Sequence, residues 1–301
     1  MDERIKAVQI MQGYIEEHIL EEIKIDDLAK LTKYSPVHVR RLFLEWTKLS
    51  PADYIRRLKL TKAALMLRDE SCRVIDVVTQ FGFGSVDGFQ RAFKREFGYN
   101  PKEYETNPVP IYLFTPYRVH SQSKKPYDFS PSNTRKVTVQ RIHKAARKAI
   151  IKRGIKAADY WSYCNEIGCD VWGLLKSIRS ISEEPVGLWL PVKYRNPISN
   201  EYVQGVEVEM DYKGAIPDGF EVIDFPEADY LSFRSEPYDD EDYGSAILDV
   251  EKVISEYDFQ GNGYIKDEDN PRIQLEPICT RGYIELVPVI SGDKCNESHS
   301  V

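Results

Sequence analysis

Phe81-Gly82-Phe83-Gly84-Ser85-Val86-Asp87-Gly88-Phe89-Gln90-Arg91-Ala92-Phe93-Lys94-Arg95-Glu96-Phe97-Gly98 is the stretch that decides how the first third of the chain is read. Its two early glycines make a tight turn, and Ser85 can cap a helix from Val86 to Phe97. Within that helix Phe89 and Phe93 lie on one face, at helical spacing. The other face carries Asp87, Gln90, Arg91, Lys94 and Arg95. A short helix, Val74 to Gln80, is expected just before the turn, so the pattern is short helix, turn, helix.

The same pattern occurs earlier. Asp26-Asp27 can cap a short helix through Lys33, and Pro36 can open a second that runs to about Lys48. The two second helices start at Pro36 and Val86, 50 residues apart. In each copy an apolar pair on the first helix, Leu28/Leu31 or Val77/Val78, can pack on Leu42/Phe43 or Phe89/Phe93. That leaves His38, Arg40 and Arg41 free in the first copy. Such a face suits a recognition helix, because arginine bonds bidentately to guanine and basic side chains hold phosphates. Between the copies Ser50-Pro51 starts a helix, Asp53 to Leu67, that spans roughly 25 Å at 1.5 Å per residue. Two recognition helices could then enter grooves one turn, roughly 34 Å, apart. Ahead of both copies Ile5, Val8, Gln12, Ile15 and Ile19 follow helical spacing. Gly98-Tyr99-Asn100-Pro101 is read as the stop. On periodicity alone, an ordinary helical bundle with solvated outer charge is the alternative.

The rest of the 301 residues changes character. Prolines 108, 110, 116, 126 and 131 break up a linker, with one strand expected at Ile111–Phe114. Beyond it strands are expected at Lys136–Ile142, Val186–Val192, Tyr202–Tyr212, Phe220–Phe225, Tyr230–Arg234 and Tyr283–Val289. Trp161–Ile181 and Tyr243–Tyr257 are expected as helices. Two helices among many strands indicate α+β. Charge is uneven: residues 106–155 carry 11 Lys+Arg against 1 Asp+Glu, and residues 205–270 carry 4 against 20. The basic stretch suits an anion such as DNA. The acidic run Asp239-Asp240-Glu241-Asp242 is read as a solvated helix start.

Several classes are set aside. No apolar run approaches the roughly 20 residues of a membrane helix, and Met1-Asp2-Glu3-Arg4 lacks the features of a signal peptide. Five cysteines, 72, 164, 169, 279 and 295, form no CxxC pair and are read as free thiols of a cytoplasmic protein. The histidines, 18, 38, 120, 143 and 299, are scattered. There is no nucleophile elbow, metal-ligand cluster or phosphate loop, so neither enzyme nor cofactor is expected.

Residues 5–105 resemble the DNA-binding domain of the AraC/XylS family of transcription regulators. The matching stretches are Leu28-Ala29, Tyr34-Ser35, His38-Val39-Arg40-Arg41-Leu42-Phe43, Ser50-Pro51, Tyr54-Ile55-Arg56-Arg57-Leu58-Lys59, Gly82-Phe83-Gly84-Ser85, Phe89 to Gly98, and Pro101-Lys102-Glu103-Tyr104. The resemblance implies an all-α domain with two helix-turn-helix units. It places base contacts at Val37, Arg40 and Arg41 and at Asp87, Gln90 and Arg91, with Lys94 and Arg95 as anchors. Asp87 and Gly88 depart from a basic helix start, so the second unit is expected to anchor more than it reads.

Residues 136–290 resemble gyrase-inhibitor-like effector domains, as in Rob-type and multidrug-sensing regulators. Cys169-Asp170-Val171-Trp172-Gly173-Leu174-Leu175, Pro185 to Pro191, Tyr202 to Val208, Glu236 to Glu241 and Arg281 to Glu285 with Pro288-Val289 carry the likeness. It implies an α+β pseudo-repeat whose sheet binds small organic molecules, often cationic and aromatic. Trp161, Trp172, Trp189, Tyr230 and Tyr283 could supply cation–π faces worth on the order of 2 kcal/mol when desolvated; each could equally be core. Glu285 sits in an apolar strand, where a carboxylate needs a partner. That partner is a cationic ligand or, alternatively, Arg281. Glu276 is a second candidate.

The domains expected are therefore 1–106 for DNA, a linker 107–135, an effector domain 136–291 and a tail 292–301. The expected partners are double-stranded DNA and a small effector. The alternatives are a C-terminal module that docks a protein such as RNA polymerase, or a small-molecule hydrolase.

Overall fold

The computed structural model describes residues 3–70, 72–116, 135–197, 201–239 and 242–292. The chain divides into two compact units, Met1–Lys124 and Lys125–Val301. Most of the expected linker, the tail beyond Gly292, Asp240, Glu241, His120, Cys295 and His299 lie outside the described residues. No helix among those described is long and apolar enough to cross a membrane.

The first unit is helical: α1 (Glu3–Glu17), α2 (Ile25–Thr32), α3 (Pro36–Thr47), α4 (Pro51–Asp69), α5 (Val74–Gln80), α6 (Val86–Phe97) and α7 (Pro101–Thr106). Caps fix the boundaries. Ser35, Ser50 and Ser85 each precede a helix, and their side chains accept from the backbone N–H of His38, Asp53 and Gly88. At α2 and α5 Asp27 and Asp76 reach back to the N–H of Lys24 and Arg73, so Asp27 acts from inside the first turn rather than as the cap. Lys33 and Gly82 end the short helices at φ 59° and 66°, and Lys48 and Gly98 end the long ones at 62° and 83°.

Two cores result. Val8, Met11, Leu28, Val39, Phe43, Tyr54 and Leu58 form one. Leu60, Ala64, Leu67, Val77, Phe89, Phe93 and Tyr104 form the other. α4 belongs to both, its first half in one and its second half in the other. Gln12, in the apolar stripe of α1, is buried and donates to the Tyr54 hydroxyl at 3.2 Å. Leu31 does not pack as expected: it is 42% exposed, and Ala29 takes the buried place beside Leu28.

Two expectations fail, each at a proline-marked stretch. Pro101 was expected to end structure, yet it opens α7, because proline at a first helical position gives up no hydrogen bond. Ser50-Pro51 opens α4 in the same way. Residues 107–116, expected as linker, pack on α4 instead. Ile111 and Leu113 are buried, the Phe114 N–H donates to Thr61 Oγ1 at 2.9 Å, and the Phe114 ring meets Tyr54 edge-on at 5.1 Å. No strand forms there.

The second unit is a nine-stranded antiparallel sheet with helices: β1 (Val137–Lys144), β2 (Arg147–Arg153), α8 (Tyr160–Ile167), α9 (Asp170–Lys176), β3 (Val186–Trp189), β4 (Tyr202–Val208), β5 (Glu221–Phe225), β6 (Ala228–Ser235), α10 (Tyr243–Glu256), β7 (Tyr264–Lys266), β8 (Arg272–Gln274) and β9 (Ile284–Ser291). The order is β1-β6-β9-β8-β3-β4-β2-β5, with β7 beside β9. Read from its two edges this order matches itself. β1 pairs with β6 as β5 pairs with β2; β6 pairs with β9 as β2 pairs with β4; β9 pairs with β8 as β4 pairs with β3. The halves join where β3 meets β8.

The expected helix Trp161–Ile181 is two, broken where Gly168 turns to φ 95°. With α10 this unit has three described α-helices, not the two expected. β4 does not alternate as expected; every residue of it is buried, as befits a central strand covered on both faces. One face holds Ala149, Ile151, Val186, Leu188, Ile273 and Leu286. Across it Arg147 of β2 donates to the Tyr230 hydroxyl of β6 at 2.6 Å, although β2 and β6 are not neighbours. The sheet therefore curls over this face. The other face carries Glu285, Gln274, Gly187 and Gln204 in one row, each opposite the next across β9, β8, β3 and β4.

Candidate functional site

The second helices of the two helix-turn-helix units present matching surfaces. α3 and α6 each have 12 residues. From Ser35 and from Ser85 the burial pattern runs the same residue by residue, except that Leu42 is buried where Ala92 is half-buried. Val39, Phe43 and Thr47 face the core in one helix, and Phe89, Phe93 and Phe97 in the other. The outward stripe is Val37, Arg40, Arg41 and Leu44 on α3, and Asp87, Gln90, Arg91 and Lys94 on α6. Arg95 is exposed beside the second stripe, and His38 is half-buried with its ring 4.6 Å from Tyr34. The side chains of Arg40, Arg41, Gln90, Arg91, Lys94 and Arg95 hold no hydrogen bond or ion pair among the described residues. By contrast Glu96, on the inner side of α6, is tied to Arg57 of α4 at 2.6 Å. The structure thus spends its acid–base pairs on packing the helices and leaves the outward cations uncommitted.

In the second unit the expected ligand residues do not all meet. Glu285 is fully buried and has two partners. The Tyr283 hydroxyl donates to Oε1 at 2.6 Å, and Arg272 Nε donates to Oε2 at 2.5 Å. Arg272 Nη2 pairs with that same oxygen. Burial first, then the adjacent Glu285 carboxylate, holds the Tyr283 hydroxyl well above its ordinary value, so it stays a donor. The Arg272 guanidinium also lies over the Trp189 ring, 4.7 Å from its centroid. Arg281, the partner expected as an alternative, is bound to Glu184 at 2.5 Å. The error has a cause in the sheet: register places Trp189 opposite Arg272 and Gln274 opposite Glu285, on one face.

Trp189 continues into an aromatic band. It meets Tyr202 at 5.0 Å, and the Tyr202 hydroxyl donates to Gln274 Oε1 at 3.0 Å. A Cβ at Gly187 would stand 2.3 Å from that hydroxyl, so only glycine fits there. Tyr160 meets Trp161 at 5.2 Å and Trp172 at 6.4 Å, and Trp161 meets Tyr243 of α10 at 5.8 Å. The helices of the two halves thus touch above the β3–β8 junction. Gln204 is buried in the same row, and neither of its side-chain polar atoms finds a partner at hydrogen-bond geometry; Tyr202 and Cys164 are the polar groups around it.

Two expected residues lie elsewhere. Tyr230 is on the opposite face, bonded to Arg147, which also donates to buried Glu207 at 2.5 Å. Glu276 pairs with Lys176 at 3.5 Å. Sequence reasoning missed Arg272, Tyr202, Gln204, Gln274 and Glu251. Burial, then the nearby Glu285, pushes the Glu251 carboxyl above its ordinary range, while Arg272 opposes the shift. Glu251 shares its apolar stretch of α10 with a second acid, buried Asp249, so the sequence pattern alone does not single it out. A cleft of about 180 Å³ opens beside Arg272, lined by Trp189, Arg195, Asp267, Glu268 and Asn270 among others.

Comparison with known proteins bears on the first unit. A family model described as "Helix-turn-helix domain" matches residues 28–107. Regulatory protein SoxS of Escherichia coli K12 is 34% identical over 99 residues, which are 33% of this chain and 92% of SoxS. The right origin-binding protein of the same organism is 33% identical over 95 residues, 32% of this chain and 33% of that protein. The solved structure of SAV2435 bound to tetraphenylphosphonium covers 54% of this chain and 99% of its own, at 15% identity and a TM-score of 0.36; a likeness at that level supports nothing about this chain's ligand. The paired helix-turn-helix units and the near-complete coverage of a 34% identical regulator show that the chain is a DNA-binding transcription regulator of the AraC/XylS family.

Proposed function

We propose that this regulator senses a small cationic or amphipathic molecule through its C-terminal unit, acting in the cytoplasm. The observation that carries the reading is Glu285: a fully buried carboxylate that accepts from Tyr283 and from Arg272, whose guanidinium lies on Trp189 in an aromatic band. A buried carboxylate is costly unless paired, and aromatic faces add attraction for a cation. The self-matching strand order supports a gyrase-inhibitor-like pseudo-repeat, with the ligand at the joint between halves. On the DNA side, Val37, Arg40 and Arg41 read bases through α3. Asp87, Gln90 and Arg91 contribute through α6, with His38, Lys94 and Arg95 on phosphates. The test is calorimetry on the full chain with a panel of aromatic cations and neutral isosteres. Glu285→Gln is expected to weaken the cations and spare the neutral compounds; unchanged affinity removes Glu285 from the site.

One observation favours a second reading. The cleft is about 180 Å³, below the roughly 300 Å³ at which ligand pockets begin. A C-terminal unit that docks a protein such as RNA polymerase needs no deeper cavity. If no compound in the panel binds and the unit captures polymerase, this reading replaces the first.

A further inference from the structure

Arg272 stands where the cation of a ligand would stand. Two N–H groups from one edge of its guanidinium converge on Glu285 Oε2. Its flat face lies on Trp189, 4.7 Å from the ring centroid. Glu285 Oε1 is meanwhile taken by Tyr283. Every feature that makes the place attractive to a cation is therefore in use by the chain itself. This also accounts for the small cleft: Arg272 forms part of its wall, between the open volume and the buried carboxylate.

We propose that Arg272 is a resident stand-in for the effector, and that the effector is a planar cation with N–H donors along one edge, of the amidinium or aminated heteroaromatic class. The inference rests on the ligand-sensing reading given above. A guanidinium's shape fits the place by being flat enough to stack and having two adjacent N–H groups to give. A quaternary ammonium would satisfy the aromatic ring but leave Glu285 Oε2, the oxygen that Arg272 now serves, without a donor in a buried setting. An arylamidinium would satisfy both and extend its arene along the Tyr202 side of the band.

Displacement of Arg272 is feasible where it sits. The side chain is 32% exposed, unlike Glu285. Asp267 and Glu268 line the cleft it borders and can receive the guanidinium once it swings out. Glu251 feels both groups: burial and the Glu285 charge push its carboxyl above the ordinary range and Arg272 opposes this, so departure of the arginine favours the protonated form of Glu251 and leaves Glu285 as the charge to be met. The displaced cation is thus exchanged for another rather than lost, and the free energy of that exchange sets the affinity.

The experiment is titration of the full-length protein with benzamidinium and with benzyltrimethylammonium, followed by calorimetry and tryptophan fluorescence. Arg272→Gln keeps a donor near Glu285 but removes the competing charge. It is expected to bind benzamidinium at least tenfold more tightly than the wild type, with a smaller gain for benzyltrimethylammonium. Arg272→Lys retains the charge without the flat two-donor edge, and is expected to gain about threefold; it serves if the glutamine variant fails to fold. Glu285→Gln in either background is expected to remove the gain. If the wild type binds panel cations but neither Arg272 variant binds benzamidinium more tightly, the stand-in is overturned while ligand sensing survives. If equal gains appear for both probes, the N–H requirement is overturned. If no cation binds any of the proteins, the sensing reading falls and takes this inference with it.

Discussion

Arg40 and Arg91 show what a residue can disclose about its use. Each is exposed, on an outward stripe, and uncommitted to any partner among the described residues. A bidentate arginine–guanine contact discriminates by about 1–3 kcal/mol. Replacing both by alanine is therefore expected to abolish sequence preference in a shift assay while leaving weak, salt-sensitive binding; preserved preference would take these helices out of the reading role. Cys169 permits a pH prediction. The hydrogen bond from Cys164 pulls its thiol down to about 7, against an opposing push from burial. A lowered thiol loses its proton earlier as pH rises, so the thiolate fraction climbs through pH 7 rather than above 8. Iodoacetamide is expected to modify Cys169 ahead of the other thiols, with a midpoint near pH 7, and Cys164→Ala, which removes the donor, is expected to move that midpoint upward. Glu285 is the residue that sequence reading judged best in kind and least well in partner. Its burial followed from its apolar neighbours, but Arg272 lies 13 residues away and meets it only through cross-strand register.

Elements were legible where their signals are local. The bounds of α3 and α6 follow from a capping serine, helical spacing and a left-handed stop, all within one short stretch of chain. α7 and the segment 107–116 were not, because proline marks a helix start and a break equally well, and only α4 decides where Ile111 and Phe114 go. The strands β2, β7 and β8 went unread; the last two have three residues each, too few to show a period. The two copies of the helix-turn-helix also differ in an instructive place. Gly82 adopts the left-handed turn at no cost, whereas Lys33 holds the same conformation with a side chain. Left-handed backbone costs a non-glycine residue about 1–2 kcal/mol, and glycine loses about 0.5–1 kcal/mol through the freer unfolded chain. Lys33→Gly is expected to stabilise the first unit by about 0.5–1 kcal/mol, read as a raised urea midpoint. A lowered midpoint would mean that Lys33 makes a contribution of its own.

At the scale of the whole molecule, what was legible divides by unit. The helical unit repeats one local pattern, and a sequence pattern of that kind survives in a single chain. The sheet unit repeats a pairing scheme, and pairing between β1 and β6 or β3 and β8 leaves no mark within a short window. Its ligand residues were chosen by type, so Trp189, Tyr283 and Glu285 were found together while Tyr230 and Glu276 fell to other tasks.

α4 lies in both cores, so the two outward stripes are carried on one rigid body. Those stripes are unlike: Val37, Arg40, Arg41 and Leu44 on one, Asp87, Gln90, Arg91 and Lys94 on the other. A symmetric dimer reads an operator the same way from both ends, but a chain built like this cannot. With α3 and α6 reading bases as proposed, its binding site would have a direction, and the bound protein would point along the DNA. Inverting a natural operator in place is expected to leave affinity unchanged and to alter transcription, since the regulator then faces away from the promoter. Exchanging the order of the two half-sites is expected instead to weaken binding itself. Equal affinity after that exchange would show that the two helices are interchangeable readers, and that the arrow is absent.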